Sequence, residues 1–146
     1  MSGARVLVVD DTPDIRLLLR AVLSQAGLQV LEAVDGAHAL ELLRTGEQVD
    51  LVLLDVQMPD VAGWEVLVAI RSDVRLEHLP VVLCTVKSQL DDSRRGWELG
   101  CDGFLGKPFE VEDVAGEVTA VLARSSAERR ARRAAMCRDL SAGAAS

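Results

Sequence analysis

The chain has 146 residues, enough for one domain of ordinary size and a tail. A net charge of −7, three cysteines without C-x-x-C spacing and two isolated histidines argue against nucleic acid as the main partner, a disulfide scaffold and a zinc site. No apolar run approaches the ~18 residues of a membrane span and the start lacks a secretory apolar region, so a cytoplasmic protein without membrane association is expected.

Val6-Leu7-Val8-Val9 is a continuous apolar run and predicts a strand buried on both faces, ending in Asp10-Asp11. Thr12-Pro13 then reads as N-cap and first residue of a helix over Asp14–Gln25, with Ile15, Leu18, Leu19 and Val22 as its core stripe and Gly27 just past its end. Gln29–Val34 alternates and predicts a second strand. Asp35-Gly36 follows it as the cap of a helix over Ala37–Arg44. Leu51–Leu54 is the third strand and delivers Asp55, ahead of a helix over Gly63–Arg71. Val81–Cys84 is the fourth and delivers Thr85, ahead of a helix over Asp91–Leu99. Phe104-Leu105 is a weaker fifth strand running to Lys107, and Val111–Leu122 is the last periodic helix. Strict alternation of this kind predicts a flavodoxin-like, doubly wound α/β domain over residues 4–123: a five-stranded parallel sheet in the order 2-1-3-4-5 with five flanking helices.

Residues 124–146 differ in charge. They carry six arginines against Glu128 and Asp139, whereas residues 1–123 carry 21 acidic and 10 basic side chains. Ser125 and Glu128 have capping-box spacing, so a basic helix through Leu140 is expected, separate from the fifth helix or continuous with it. The small-residue end Ser141–Ser146 reads as disordered. Few large apolar residues follow Arg124, so this segment is expected to be a solvated helix or linker dispensable for chemistry; the alternative is a docking segment for an acidic partner or for the chain's own acidic body. It is too short for a helix-turn-helix unit, and no direct DNA binding is expected from it.

Ligands of open α/β sheets bind beyond the carboxyl ends of the strands. There four of the five strands deliver Asp10-Asp11, Asp55, Thr85 and Lys107 to one edge. Each residue alone has a structural explanation as a turn former, a cap or a solvated side chain. Three carboxylates together repel one another and call for a cation, and an all-oxygen set without His or Cys selects Mg²⁺ over Zn²⁺. A carboxylate nucleophile approaches a phosphoryl group only once charge is neutralised. A metal, the Lys107 ammonium and the Thr85 hydroxyl suit that task and point to an acyl phosphate on an aspartate. Gly103-Phe104-Leu105-Gly106-Lys107-Pro108 lacks the spacing of a P-loop, no G-x-G-x-x-G follows the first strand, and no histidine completes a nucleophile triad.

Four motifs carry a family resemblance: Val8-Val9-Asp10-Asp11; Asp55-x-x-Met58-Pro59-x-x-x-Gly63; Thr85; and Gly100-Cys101-Asp102-Gly103-Phe104-x-x-Lys107-Pro108-Phe109. On these the chain resembles the receiver domain of bacterial two-component response regulators over about residues 4–123. The resemblance implies that Asp55 is phosphorylated from the phosphohistidine of a sensor histidine kinase or phosphotransfer protein. It implies Mg²⁺ held by Asp11, Asp55 and the backbone carbonyl of Gln57, with Asp10 acting through water. Thr85 and Lys107 would engage the phosphoryl group, Thr85 and Phe104 would form the switch, and the Lys107–Pro108 bond would be cis. It also implies a phosphoacceptor with self-catalysed transfer and autodephosphorylation, not an enzyme for a separate substrate, and a monomer or weak dimer. Phe104 lacks the hydroxyl of a Tyr in the switch role, and Val86 stands where a small residue is common. Gln57 and Lys87 fall at sites that tune phosphoryl lifetime. The chain is expected to be a stand-alone receiver controlling a protein partner or a relay; the alternative is the receiver portion of a longer regulator or hybrid kinase.

Overall fold

The computed structural model describes residues 3–58, 62–86 and 93–145, with side chains as far as residue 140. Five strands alternate with helices: β1 (Arg5–Val9), α1 (Pro13–Gln25), β2 (Gln29–Ala33), α2 (Gly36–Arg44), β3 (Leu51–Asp55), α3 (Gly63–Ser72), β4 (Val81–Val86), α4 (Ser93–Leu99), β5 (Gly103–Lys107) and α5 (Val111–Ala123). A sixth helix, α6 (Ser126–Ala145), follows. All pairings are parallel and the strand order is β2-β1-β3-β4-β5, as expected.

Alternate side chains of the strands go to opposite faces, and both faces are covered. Leu7, Val9, Val52, Leu54, Val81 and Leu83 pack with α2, α3 and α4, around Leu43, Leu67, Ile70 and Trp97. Val6, Val8, Leu51, Leu53, Val82 and Cys84 pack with α1 and α5, around Leu19, Leu23, Val114 and Val118. This two-sided burial explains why the strands are runs of Val and Leu with no polar alternation.

Local signals act mostly as anticipated. Asp35 accepts from the His38 amide at 2.8 Å as the N-cap of α2. Gly27 adopts φ +85°, and the Leu28 amide reaches back to the Leu23 carbonyl at 3.1 Å, closing the end of α1. The Lys107–Pro108 bond is cis. Thr12 is the N-cap of α1 and Pro13 its first residue, as expected, although Thr12 makes no side-chain capping bond. One expectation for α1 is corrected. Leu18 is 41% exposed, while Leu19, Val22 and Leu23 carry the buried stripe. The stripe is rotated because α1 meets β1 and α5 through residues 19, 22 and 23.

The tail departs furthest from expectation. Among the described residues five helices accompany the sheet as expected and the basic tail forms a sixth, but the segment read as disordered after Leu140 continues α6 to Ala145. The Ser125–Glu128 capping box forms in both directions, at 2.8 and 3.1 Å. Yet α6 is not merely solvated: Arg129 is buried, and Met136, Cys137 and Leu140 pack against the core cluster beneath α4. Helix assignment for the fourth crossover begins at Ser93; Asp91, Asp92, Lys87 and Pro59 lie outside the described residues.

Two glycines give a contrasting test of this packing. A Cβ on Gly63 would lie 2.5 Å from the Asp55 carbonyl oxygen and 2.7 Å from the Val56 Cα, backbone that cannot swing away. Gly63→Ala should therefore cost about 1–3 kcal/mol in urea unfolding. Gly116, inside α5 with nothing within 4 Å of a Cβ, should gain roughly 0.5–1 kcal/mol as Ala.

Candidate functional site

Strand registers bring the chemistry together. Val9 pairs with Leu54, so Asp10 and Asp55 leave adjacent strands at the same level. Asp55 pairs with Cys84, placing Thr85 one step beyond it, and Thr85 pairs with Gly106 and Val86 with Lys107. Asp10, Asp55 and Thr85 are all buried, and Asp11 is exposed.

Asp10 is held at every polar atom. Its amide donates to the Ala33 carbonyl at 3.3 Å, and its carbonyl accepts from Arg16 Nη1 at 2.6 Å. Its Oδ1 accepts from the Thr12 amide at 2.9 Å and its Oδ2 from Lys107 Nζ at 2.9 Å. Arg16 is in turn paired with Glu32 at 3.2 Å, which also binds Arg20 at 2.7 Å. The corner between β1 and α1 is thereby fixed by charge-assisted bonds.

Lys107 also reaches Asp55 Oδ2 at 3.2 Å, while Asp55 Oδ1 accepts from the Gln57 amide at 3.0 Å. Burial pushes the Asp55 carboxyl above its ordinary pKa; the Lys107 charge and the Gln57 amide pull it down, and the Asp10 charge pushes it up again. Burial alone would lower the Lys107 pKa, but its hydrogen bond to Asp10 and the charges of Asp55 and Asp10 raise it overall. Oxygens of Asp10, Asp11 and Asp55 lie within 4.8 Å of one another, a grouping that could hold a metal ion. Cys84, in register with Asp55 and on the same face of the sheet, is a poor nucleophile because burial raises its pKa.

Phe104 stands three residues before Lys107 on β5. Its ring fills the space a Cβ on Gly96 would need and lies 6.1 Å, centroid to centroid, from Trp97 of α4. Two residues that the sequence did not single out as a pair sit at the far end of this layer. Arg71 Nη2 binds the buried Asp102 at 2.8 Å, and the same carboxylate accepts from the Val81 amide at 3.0 Å. Asp102 was visible only as part of a motif, and nothing in the spacing links it to Arg71.

The family description that matches residues 6–119 is the response regulator receiver domain. The chain belongs to this family. The DNA-binding dual master transcriptional regulator RpaA of a Synechocystis species is 38% identical over 121 residues, covering 83% of this chain and 50% of that protein. The chain spans about half the length of the curated relatives it matches. Chemotaxis protein CheY4 of Vibrio cholerae superposes with a TM-score of 0.75 at 31% identity, over 82% of this chain and 98% of that one. The response regulator TrrA of Thermotoga maritima, solved in complex with Mg²⁺-BeF, has a TM-score of 0.71 at 32% identity, over 80% and 97% of the two chains. The receiver fold and its two-component family are thus established, but the expectation of no direct DNA binding gains no support from relatives that include DNA-binding regulators. No helix among the described residues is long and apolar enough to cross a membrane.

The raised pKa of Asp55 has a sign that can be checked. The folded receiver holds that proton more readily than the unfolded chain. The charged form therefore weighs against folding once the pH exceeds the raised value, and the penalty fades as pH falls through it. Asp55→Asn should raise the metal-free melting temperature at about pH 7. The gain should shrink in melts run near pH 4.

Proposed function

We propose that this receiver accepts a phosphoryl group on Asp55 from the phosphohistidine of a sensor histidine kinase or a phosphotransfer protein. The observation that carries the reading is a carboxylate only 3% exposed at a strand end, 3.2 Å from an ammonium and grouped with two more carboxylates. In the transfer an Asp55 oxygen attacks phosphorus and the bond to the donor nitrogen breaks. The electron pair stays on the imidazole, which takes up a proton, and the product is an acyl phosphate. Attack of water on that phosphorus regenerates the carboxylate and releases inorganic phosphate, so the domain catalyses chemistry only on itself.

The donor set fits Mg²⁺, being all oxygen and carboxylate-rich. Asp11, Asp55 and the Gln57 backbone carbonyl would hold it directly. Asp10 would act through water, as the family resemblance implies. When bound, the cation offsets the negative charge of the incoming group. Lys107 would turn from Asp10 and Asp55 toward the phosphoryl oxygens, with Thr85 donating to another and Phe104 following as the packed aromatic of the switch.

The output we infer is phosphorylation-dependent binding of a protein partner, or transfer onward in a relay, in the cytoplasm and by a monomer or weak dimer. The double length of the matched relatives favours a second reading, in which these residues are the receiver portion of a longer regulator whose DNA contacts, if present, lie in another domain. Reading the gene beyond the codon for Ser146 separates the two.

Incubation with acetyl phosphate and Mg²⁺ should add one phosphoryl group to the intact mass, and Asp55→Ala should add none. Labelling of that variant at the wild-type rate would sink the assignment. Asp11→Asn should weaken Mg²⁺ binding about tenfold or more in a titration, since one of few direct carboxylate ligands is lost.

A further inference from the structure

Helix α6 lies beyond the residues matched by the receiver family and is attached to the domain by a contact with an unusual charge balance. Asp102 divides its two carboxylate oxygens between the domain and the tail. Oδ2 serves the domain, accepting from Arg71 at 2.8 Å and from the Val81 amide at 3.0 Å. Oδ1 serves α6, accepting from Arg133 Nη1 at 2.5 Å with Arg129 Nε at 3.8 Å. Arg129 also donates to the carbonyls of Arg124 and His78, at 2.7 and 2.9 Å. Beside this clamp Arg132 lies over the Trp97 ring at 5.8 Å, and Met136, Cys137 and Leu140 pack against the core cluster that contains Trp97.

Three features make this attachment releasable. If α6 leaves, Asp102 keeps Arg71 and the Val81 amide, so the domain is not left with an unpaired buried charge. With α6 in place, three guanidiniums share one carboxylate, and burial first, then the charges of Arg133 and Arg129, lower the Arg71 pKa. At the junction of α5 and α6, Arg124 Nη1 is buried without a hydrogen-bond partner, a cost that release removes.

The helix is also in mechanical series with the phosphoacceptor. Lys107, which bridges Asp10 and Asp55, is three residues from Phe104 on β5. The Phe104 ring is seated on Gly96 of α4 with no room for even a Cβ, and Leu83 Cδ1 closes the same space at 2.9 Å. The next residue, Trp97, touches Phe104 on one side and lies under Arg132 on the other. A phosphoryl group on Asp55 must redirect Lys107, and a strand end packed without slack passes that displacement to α4. A shift of α4 alters the surface that α6 grips.

We propose that α6 is an intramolecular latch on the face formed by α4 and Asp102, docked while Asp55 is unmodified and loosened by its phosphorylation. The proposal rests on the phosphoacceptor reading above. Release would expose at once the apolar and acidic face around Trp97 and Asp102 and an arginine-rich helix, the kind of change an effector can read. Because coupling is reciprocal, docked α6 opposes phosphorylation by the same free energy with which phosphorylation opposes docking.

Hydrogen exchange on the full chain tests it, comparing Mg²⁺ alone with Mg²⁺ and acetyl phosphate while the intact mass of each sample is read in parallel. In samples carrying the phosphoryl group, amides 127–140 should exchange at least about fivefold faster, the low end of ordinary allosteric coupling. Arg133→Gln, which leaves the Arg71–Asp102 pair intact, should show that faster exchange without phosphorylation and should take up phosphate from acetyl phosphate about threefold or more faster. Phosphorylated protein with unchanged protection of α6 overturns the latch and makes α6 a fixed part of the domain. Absence of a phosphoryl group in the mass overturns the phosphoacceptor reading, and the latch with it.

Discussion

Everything at the carboxyl edge of the sheet follows from crowding two buried carboxylates, with a third exposed beside them, at the end of adjacent strands. Asp10 and Asp55 are buried side by side, and among the described residues the ammonium that bridges them is that of Lys107, at 2.9 and 3.2 Å. That ammonium comes from the far end of the chain, 97 residues from Asp10, so the site forms only when β5 is seated next to β4. The interaction that balances the carboxylates therefore also ties the last strand to the first. A group that enters this edge with negative charge competes for Lys107 and disturbs the tie.

The two-sided core determines how far such a disturbance travels. Sheet side chains alternate between two apolar clusters, and the site residues extend the same strands past them. Cores packed at this density deform in steps and not smoothly. The α4 side is the tightest, because Gly96 and Phe104 meet without a side chain between them. On the opposite side, Arg16 and Glu32 brace the corner after β1 and hold the acidic pair still.

The sheet and the site were legible in the sequence for one physical reason. Strands buried on both faces must be continuously apolar, so the first polar residue after each run marks its end, and the ends share an edge. Asp10, Asp55, Thr85 and Lys107 could be read from that alone, together with a charge argument for a metal. The rotation of α1 was less accessible: Leu18 and Leu23 are both apolar, and which faces the sheet depends on where α5 sits. Docking of the basic tail on the acidic body was only one of the readings its charge left open. Its anchoring rests on Arg129 and Arg133 finding one carboxylate 27 and 31 positions away, which no local spacing reveals. Ser125 and Glu128 were readable because a capping box is local.

The aromatic content has an optical consequence. The chain has no tyrosine and two tryptophans, so its near-ultraviolet emission comes from two indoles. Trp64 sits on α3 with the Arg95 guanidinium 4.7 Å from its ring centre, and Trp97 sits on α4 between Phe104 and Arg132. Both rings are nearly enclosed and each has a cation over its face. Their colour and intensity depend on how closely those cations approach. Since both lie on the α3–α4 side of the sheet and none on the α1–α5 side, native fluorescence in this protein is a one-sided gauge, sensitive to α4 and blind to the opposite layer.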